Sequence, residues 1–192
     1  MNARIIAVIT GVLLLLSASC LAAAPLHVPA QPAAAGASSF QVLFPRQGQD
    51  PAPVLVGLYE NASTSLDIAI YSLTHPYIVK AIGDAQQRGI RVRVISDSDA
   101  AGSNVQKHAI NDLLSLGVPV KINRHDGLMH LKMSIIDGKV ATVGSYNYTL
   151  SASRDNDEVL VVMTDRAFVD KCRDEFNRMW GSSDFTDARP SY

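Results

Sequence analysis

His130, Lys132 and Asp137 form a His-x-Lys-x4-Asp array inside the run HLKMSIIDGKVATVGSYNYT, and the array occurs once in the 192 residues. An imidazole serves as nucleophile or proton carrier near neutral pH, and a lysine ammonium is a compact charge for non-bridging phosphate oxygens. Ser145 and Asn147, a few residues on, add a hydroxyl and a carboxamide as neutral donors. Such a group suits phosphoryl chemistry. It calls for no metal and no cofactor.

The elements that must hold these groups follow from alternation. If residues 131–136 are a strand, His130, Lys132 and Ser134 point one way and Leu131, Met133 and Ile135 the other, giving one polar, reactive face and one core face. Asp137-Gly138 is a two-residue hairpin signal, and 139–143 reads as the returning strand that ends in Gly144-Ser145-Tyr146-Asn147. Alternation then puts Ser145 and Asn147 on a common face, so one hairpin gathers all four groups. Taken singly, a His-x-Lys is usually a polar strand face and an Asp-Gly usually a turn. Their joint spacing on opposite strands is what favours a site. For Asp137 two roles compete, turn former and electrostatic partner of the basic pair, and the structural one is preferred.

This run resembles the signature of the phospholipase D superfamily, in which His-x-Lys-x4-Asp is followed six residues later by Gly-Ser-x-Asn. Every signature position matches, from His130 to Asn147. The chain is most similar to the short, single-motif bacterial endonucleases of the Nuc type, with the resemblance covering residues 39–181. It implies that the acidic residue of Asn156-Asp157-Glu158 supports the histidine, so Glu158 joins His130, Lys132, Asn147, Ser145 and Asp137 as a candidate catalytic residue.

Composition and the chain's beginning bound the rest. The length fits one α/β domain with a sizeable core. Residues 1–24 place Arg4 before an apolar stretch, Ile5 to Leu16, and then small residues, the layout of a secretory signal peptide that predicts a periplasmic or secreted protein. Ser17-Ala18-Ser19-Cys20 faintly resembles a lipoprotein box, so a lipid on Cys20 or a retained signal would be the only tie to a membrane. Residues 25–38, rich in Pro, Ala and Gly, read as a flexible linker, His27 in it as inert, and 39–192 as the domain. With Cys20 removed, Cys172 is the one remaining thiol and reads as a small hydrophobe.

The formal charge of −1 does not advertise nucleic-acid binding. Two local clusters bear on it: Arg88, Arg91 and Arg93, and then Lys121, Arg124 and His125 just before the motif. These fit either a basic cleft for a phosphate backbone or a solvated surface. His125 is a candidate for the cleft entrance. His75 and His108 read as surface or cap residues, and Ser72 and Thr74 as possible neighbours of the site.

Periodicity predicts strands over 40–44, 65–71, 90–95, 118–122 and 159–163, and helices over 51–61, 76–88, 103–116 and 165–180. With the motif hairpin, that order predicts an α/β protein, a single mixed sheet between helices. The family resemblance implies the same architecture.

Covalent phosphodiester hydrolysis needs a nucleophile on one side of phosphorus and a proton donor on the other, and one imidazole cannot stand on both. Relatives with two motifs meet this within one chain, so a single-motif chain is expected to form a homodimer with both hairpins at the twofold axis. His130 of one protomer would form a phosphohistidine while its counterpart protonates the leaving group, with Glu158 orienting the imidazole. DNA or RNA is the expected substrate. The alternatives are a lipid phosphodiesterase and a catalytically silent nucleic-acid-binding module.

Overall fold

The computed structural model describes residues 39–190. The segments read as signal peptide and linker lie outside the described residues.

Apolar residues at spacing two and at spacing three to four become strands and helices very nearly where they are expected. Strands Phe40–Leu43 (β1), Ser65–Ile70 (β2), Arg91–Ser96 (β3) and Val120–Asn123 (β4) alternate with helices Pro51–Glu60 (α1), Pro76–Gln87 (α2), Ser98–Ala101 (α3) and Asn104–Ser115 (α4). The motif hairpin follows as Lys132–Ile136 (β5) and Val140–Gly144 (β6). Leu150–Arg154 (α5), Leu160–Met163 (β7), Arg166–Gly181 (α6) and Phe185–Asp187 (β8) follow within the described residues. Side-chain caps mark the helix starts: Asp50 accepts from the Ala52 amide, Ser103 from Gln106 and Asp165 from Phe168.

The strands of the described residues form one eight-stranded sheet in the order β1-β7-β6-β5-β2-β3-β4-β8. β2, β3 and β4 run parallel, and the remaining pairings are antiparallel, so the sheet is mixed as predicted. Alternation along β2 sends Leu66, Ile68 and Ile70 into the core shared with α1, α2 and α4. Ala69 of the same strand joins Ile95, Met133 and Ile135 in a second core covered by α6. Each fully buried aliphatic side chain contributes roughly 1.5–3 kcal/mol, so both faces of the central strands stabilise the sheet. Cys172 lies partly buried in α6 and packs against the second core, as a small hydrophobe would.

Two expectations need correction. The face of β5 that carries Lys132 and Ser134 is not open along its length, because Ser134 is wholly buried between the hydroxyls of Tyr59 and Tyr148, each 2.6 Å away. Only the first position of the strand, at the sheet's end, faces a cleft. The first arginine cluster, in turn, is not one basic cleft: Arg88 and Arg91 are exposed, as the solvated-surface alternative has it, whereas Arg93 is largely enclosed. Arg88 donates to the Tyr59 carbonyl, and Arg91 and Arg93 both bind the buried Asp67 carboxylate. Lys121 likewise donates to the Trp180 carbonyl and Arg124 to Thr186.

Candidate active site

The site lies where β5 begins and β6 ends, beside the chain leaving β2. Asp137 and Gly138 both take positive φ, 54° and 60°, which the tight β5–β6 turn requires. The turn sets the register that pairs Met133 with Val143 and carries the strand ends to one edge of the sheet. Gly144 is needed for a different reason. A Cβ there would collide with the Val159 carbonyl, which accepts the amides of Ser145 and Tyr146. Chain 144–146 therefore lies directly against the start of β7, and this contact sets Ser145 beside Glu158.

His130, Lys132, Gly144, Ser145, Asn147 and Glu158 line one open cleft of about 580 Å³. Five of the six candidate catalytic residues are thus brought together. Asp137 is not among them. It lies five residues along β5 from Lys132, roughly 16 Å at the usual strand rise, and its carboxylate closes the α1–β2 loop. It accepts the backbone amides of Ser63, Thr64 and Ser65 and the hydroxyls of Ser63 and Thr64. Burial pushes this carboxyl up, but the amides and hydroxyls outweigh it and hold the group well below the usual carboxylate range. The structural alternative weighed for Asp137 is the one the geometry supports.

Within the cleft His130 is exposed, its ring tilted against Tyr71 with 4.7 Å between centroids. Lys132 is 6% exposed, its ammonium 5.0 Å from the Tyr71 ring centre and donating to the His130 carbonyl at 2.8 Å. Burial lowers its pKa from the ordinary lysine value, and the charges of Glu158 and Asp97 partly offset that. Tyr71 therefore floors the two reactive groups, and sequence reasoning missed it. The only signal was its place at the end of a predicted strand, where a tyrosine is ordinary.

Ser145 donates to Glu158 at 2.5 Å and accepts the Val159 amide at 3.1 Å. Its one proton is committed to the carboxylate, so its hydroxyl positions Glu158 rather than offering a donor to the cleft. Glu158 also accepts from Asn156 at 3.3 Å. Among the described residues its hydrogen bonds run to Ser145 and Asn156 and not to the imidazole. Asn147 accepts the Ser72 amide through Oδ1 at 3.3 Å, which leaves the Nδ2 end for the cleft. Ser72 thus borders the site through its backbone, whereas Thr74 lines a separate groove between α2 and α4.

Two further grooves flank the cleft. One shares His130 and is lined by His125, Leu128, Met129 and Phe185, which places His125 at the entrance. The other shares Ser145 and Glu158 and is lined by Phe44 and Arg46. The cleft can therefore hold a phosphodiester at its centre with a substituent on either side. His75 is the N-cap residue of α2, as the cap reading has it, although its side chain makes no capping hydrogen bond; it is 3% exposed rather than a surface residue, and burial lowers its pKa. His108 lines the α2–α4 groove.

Comparison with known proteins agrees with this geometry. A family model described as "Cardiolipin synthase, PLD-like domain" matches residues 55–180. Mitochondrial cardiolipin hydrolase from Xenopus tropicalis is 35% identical over 133 residues, 68% of this chain and 61% of that protein. The chain thus spans less than two thirds of that relative's length. Among solved structures, a phospholipase D family member, Nuc from Salmonella typhimurium, superposes with a TM-score of 0.73 at 26% identity, covering 79% of this chain and 98% of that one. NucT from Helicobacter pylori gives a TM-score of 0.67 at 27% identity, with 78% and 98% covered.

Proposed function

The chain belongs to the phospholipase D superfamily of phosphodiesterases, and from that premise we propose that it is an exported endonuclease that cleaves DNA or RNA without a metal. The observation that carries the chemistry is the convergence of His130, Lys132, Asn147 and Glu158 on one cleft. In the proposed reaction the His130 imidazole attacks phosphorus, forming a P–N bond as the P–O bond to the leaving group breaks. A second imidazole, on the far side, gives the departing oxygen its proton. That same imidazole then takes a proton from water, which attacks phosphorus, breaks the P–N bond and restores His130.

One protomer supplies a single such histidine, so the second imidazole is His130 of the partner subunit in a symmetric homodimer. Lys132 and the Asn147 amide hold the non-bridging oxygens as charge develops. Export rests on the signal-like layout of residues 1–24.

The nucleic-acid substrate is supported by the near-complete coverage of Nuc and NucT, chains of this domain's size. A second reading, hydrolysis of a phospholipid such as cardiolipin, is favoured by the cardiolipin hydrolase relatives. The internal pairing of Arg93 with Asp67 favours it too, since it withdraws the enclosed member of the first basic cluster from contact with a phosphate backbone.

The two readings separate in one experiment: the purified protein is incubated in excess chelator with plasmid DNA, single-stranded oligonucleotides, RNA and cardiolipin vesicles, beside a His130→Ala control. Chelator-resistant cleavage of nucleic acid that the control lacks is the expected result. Release of phosphatidate with nucleic acids intact would transfer the assignment to lipid. Sedimentation tests the assembly, because a fully active monomer is incompatible with a shared site.

A further inference from the structure

The residues before His130 have no regular structure from Arg124 to Leu131, yet the imidazole must be placed to a fraction of an ångström to attack phosphorus in line. Three successive residues there are held through their backbones. The Leu131 carbonyl accepts the Tyr71 amide at 3.0 Å, and the His130 carbonyl accepts Lys132. The Met129 amide donates to Oδ2 of Asp97 at 2.8 Å.

Asp97 follows the last residue of β3 and is wholly buried. Its other oxygen, Oδ1, accepts the amides of Asp99 and Ala100 at 2.9 and 3.0 Å, capping α3. Asn123 braces the same junction, accepting the Ser98 amide at 2.8 Å and donating to the Gly127 carbonyl at 3.1 Å. The charged group nearest in function is Lys132, whose ammonium the Asp97 charge favours.

We infer that Asp97 is a positioning residue for the phosphodiesterase reaction: its buried carboxylate ties the Met129 amide to the end of β3 and so fixes where His130 stands. This rests on the assignment of His130 as the reacting group. A bare helix cap is the competing account, and chemistry separates the two. Capping uses one oxygen, and asparagine caps a helix about as well as aspartate. Anchoring Met129 while capping uses both oxygens as acceptors toward N–H groups. A carboxamide must turn its NH2 against one of those donors, so Asp97→Asn loses one side.

The test compares wild type, Asp97→Asn and Asp97→Ala on a chromogenic phosphodiester, bis(4-nitrophenyl) phosphate, well below each variant's unfolding temperature. Amide hydrogen exchange is followed in parallel. For Asp97→Asn the expected result is a fall in kcat of about 10- to 100-fold, the cost of a misplacement near 1 Å, with KM changed less than about threefold. Exchange at the Met129 amide, the one Asp97 accepts, should rise at least about tenfold while the amides of β2 and β5 keep their protection. Asp97→Ala should lose more, since it also removes the cap.

An Asp97→Asn protein with wild-type kcat overturns the inference, whether or not exchange at Met129 changes. Exchange that rises uniformly through the sheet overturns it too, by showing a general stability role. A wild-type protein inert toward the phosphodiester, DNA, RNA and lipid would reject the catalytic assignment instead. The exchange at Met129 then decides by itself whether Asp97 holds this segment.

Discussion

Arg93 and Lys132 are both cations laid over aromatic rings near the two faces of one sheet, and they do opposite things. The Arg93 guanidinium lies 4.9 Å from the Phe176 ring centre and 5.3 Å from that of Trp180. Its donors go to both oxygens of Asp67 and to Asn177. Lys132 lies over Tyr71 with one hydrogen-bond acceptor, the His130 carbonyl, and lines an open cleft. An arginine's planar fork is satisfied by a carboxylate and rings, and its charge is then spent inside the protein. A lysine's three donors cannot all be met by one carbonyl. What distinguishes the two cations is the donor capacity left over, not burial or the neighbouring ring.

The sharpest way to break this comparison is to replace Lys132. Lys132→Met keeps the stem that packs near Tyr71 and removes the charge. With the oxyanion-type stabilisation gone, kcat should fall about 10²- to 10³-fold, equivalent to roughly 3–4 kcal/mol. The thermal midpoint should stay within a few degrees. If Lys132 were structural in the manner of Arg93, stability would fall and kcat per folded molecule would hold. Initial rates on a phosphodiester and a melting curve for the same preparation decide it.

Arg93→Met should give the mirror image. It leaves Asp67, 3% exposed, with only Arg91, whose own side chain is 54% exposed. Removing one partner of a buried pair costs on the order of 3 kcal/mol, and chemical denaturation should read about that much. Turnover per folded molecule should not change, nor should affinity for DNA if the protein binds it. A selective loss of DNA binding would show that this cluster meets phosphate after all.

Much of the site was legible because the hairpin writes itself in local code. Asp137-Gly138 specifies the turn, period-two alternation specifies the faces, and Gly144 marks the close approach to Val159. Most helices and strands ended within a residue or two of their predicted limits for the same reason. What stayed hidden is non-local. Asp97 and Tyr71 matter because β2 lies beside β5 and the parallel β3 ends one strand further along the same edge, a neighbourhood fixed by a sheet order that periodicity does not encode. The enclosure of Arg93 was hidden because its partner, Asp67, lies some two dozen residues earlier on another strand. α3 and α5 were missed because four or five residues make barely one helical turn, too short to show a 3.6-residue period, and β8 because three residues show hardly one alternation. Glu158 entered through family resemblance, and its tie to Ser145 could be seen only in three dimensions.

Asp137 supplies the smallest and most diagnostic contrast, since it is a motif residue that behaves as Arg93 does. Its carboxylate is committed to Ser63, Thr64 and Ser65 at the far end of β5. Asp137→Ala should therefore cost about 1–3 kcal/mol, the loss of charge-assisted hydrogen bonds to backbone amides, with kcat per folded molecule within about twofold of wild type. The sign of its pH dependence follows from the depressed carboxyl. A group whose pKa is lower folded than unfolded adds stability that is present above the unfolded value and is lost as pH falls toward the folded one. Wild type should therefore lose stability below about pH 5, near the range where an unperturbed aspartate takes up its proton. Asp137→Ala should lose less over the same interval. Parallel curves for the two proteins would contradict this account of the Asp137 carboxylate. A collapse of kcat at full stability would return Asp137 to the catalytic group, and the turn would then have to communicate with Lys132 along the whole length of the strand.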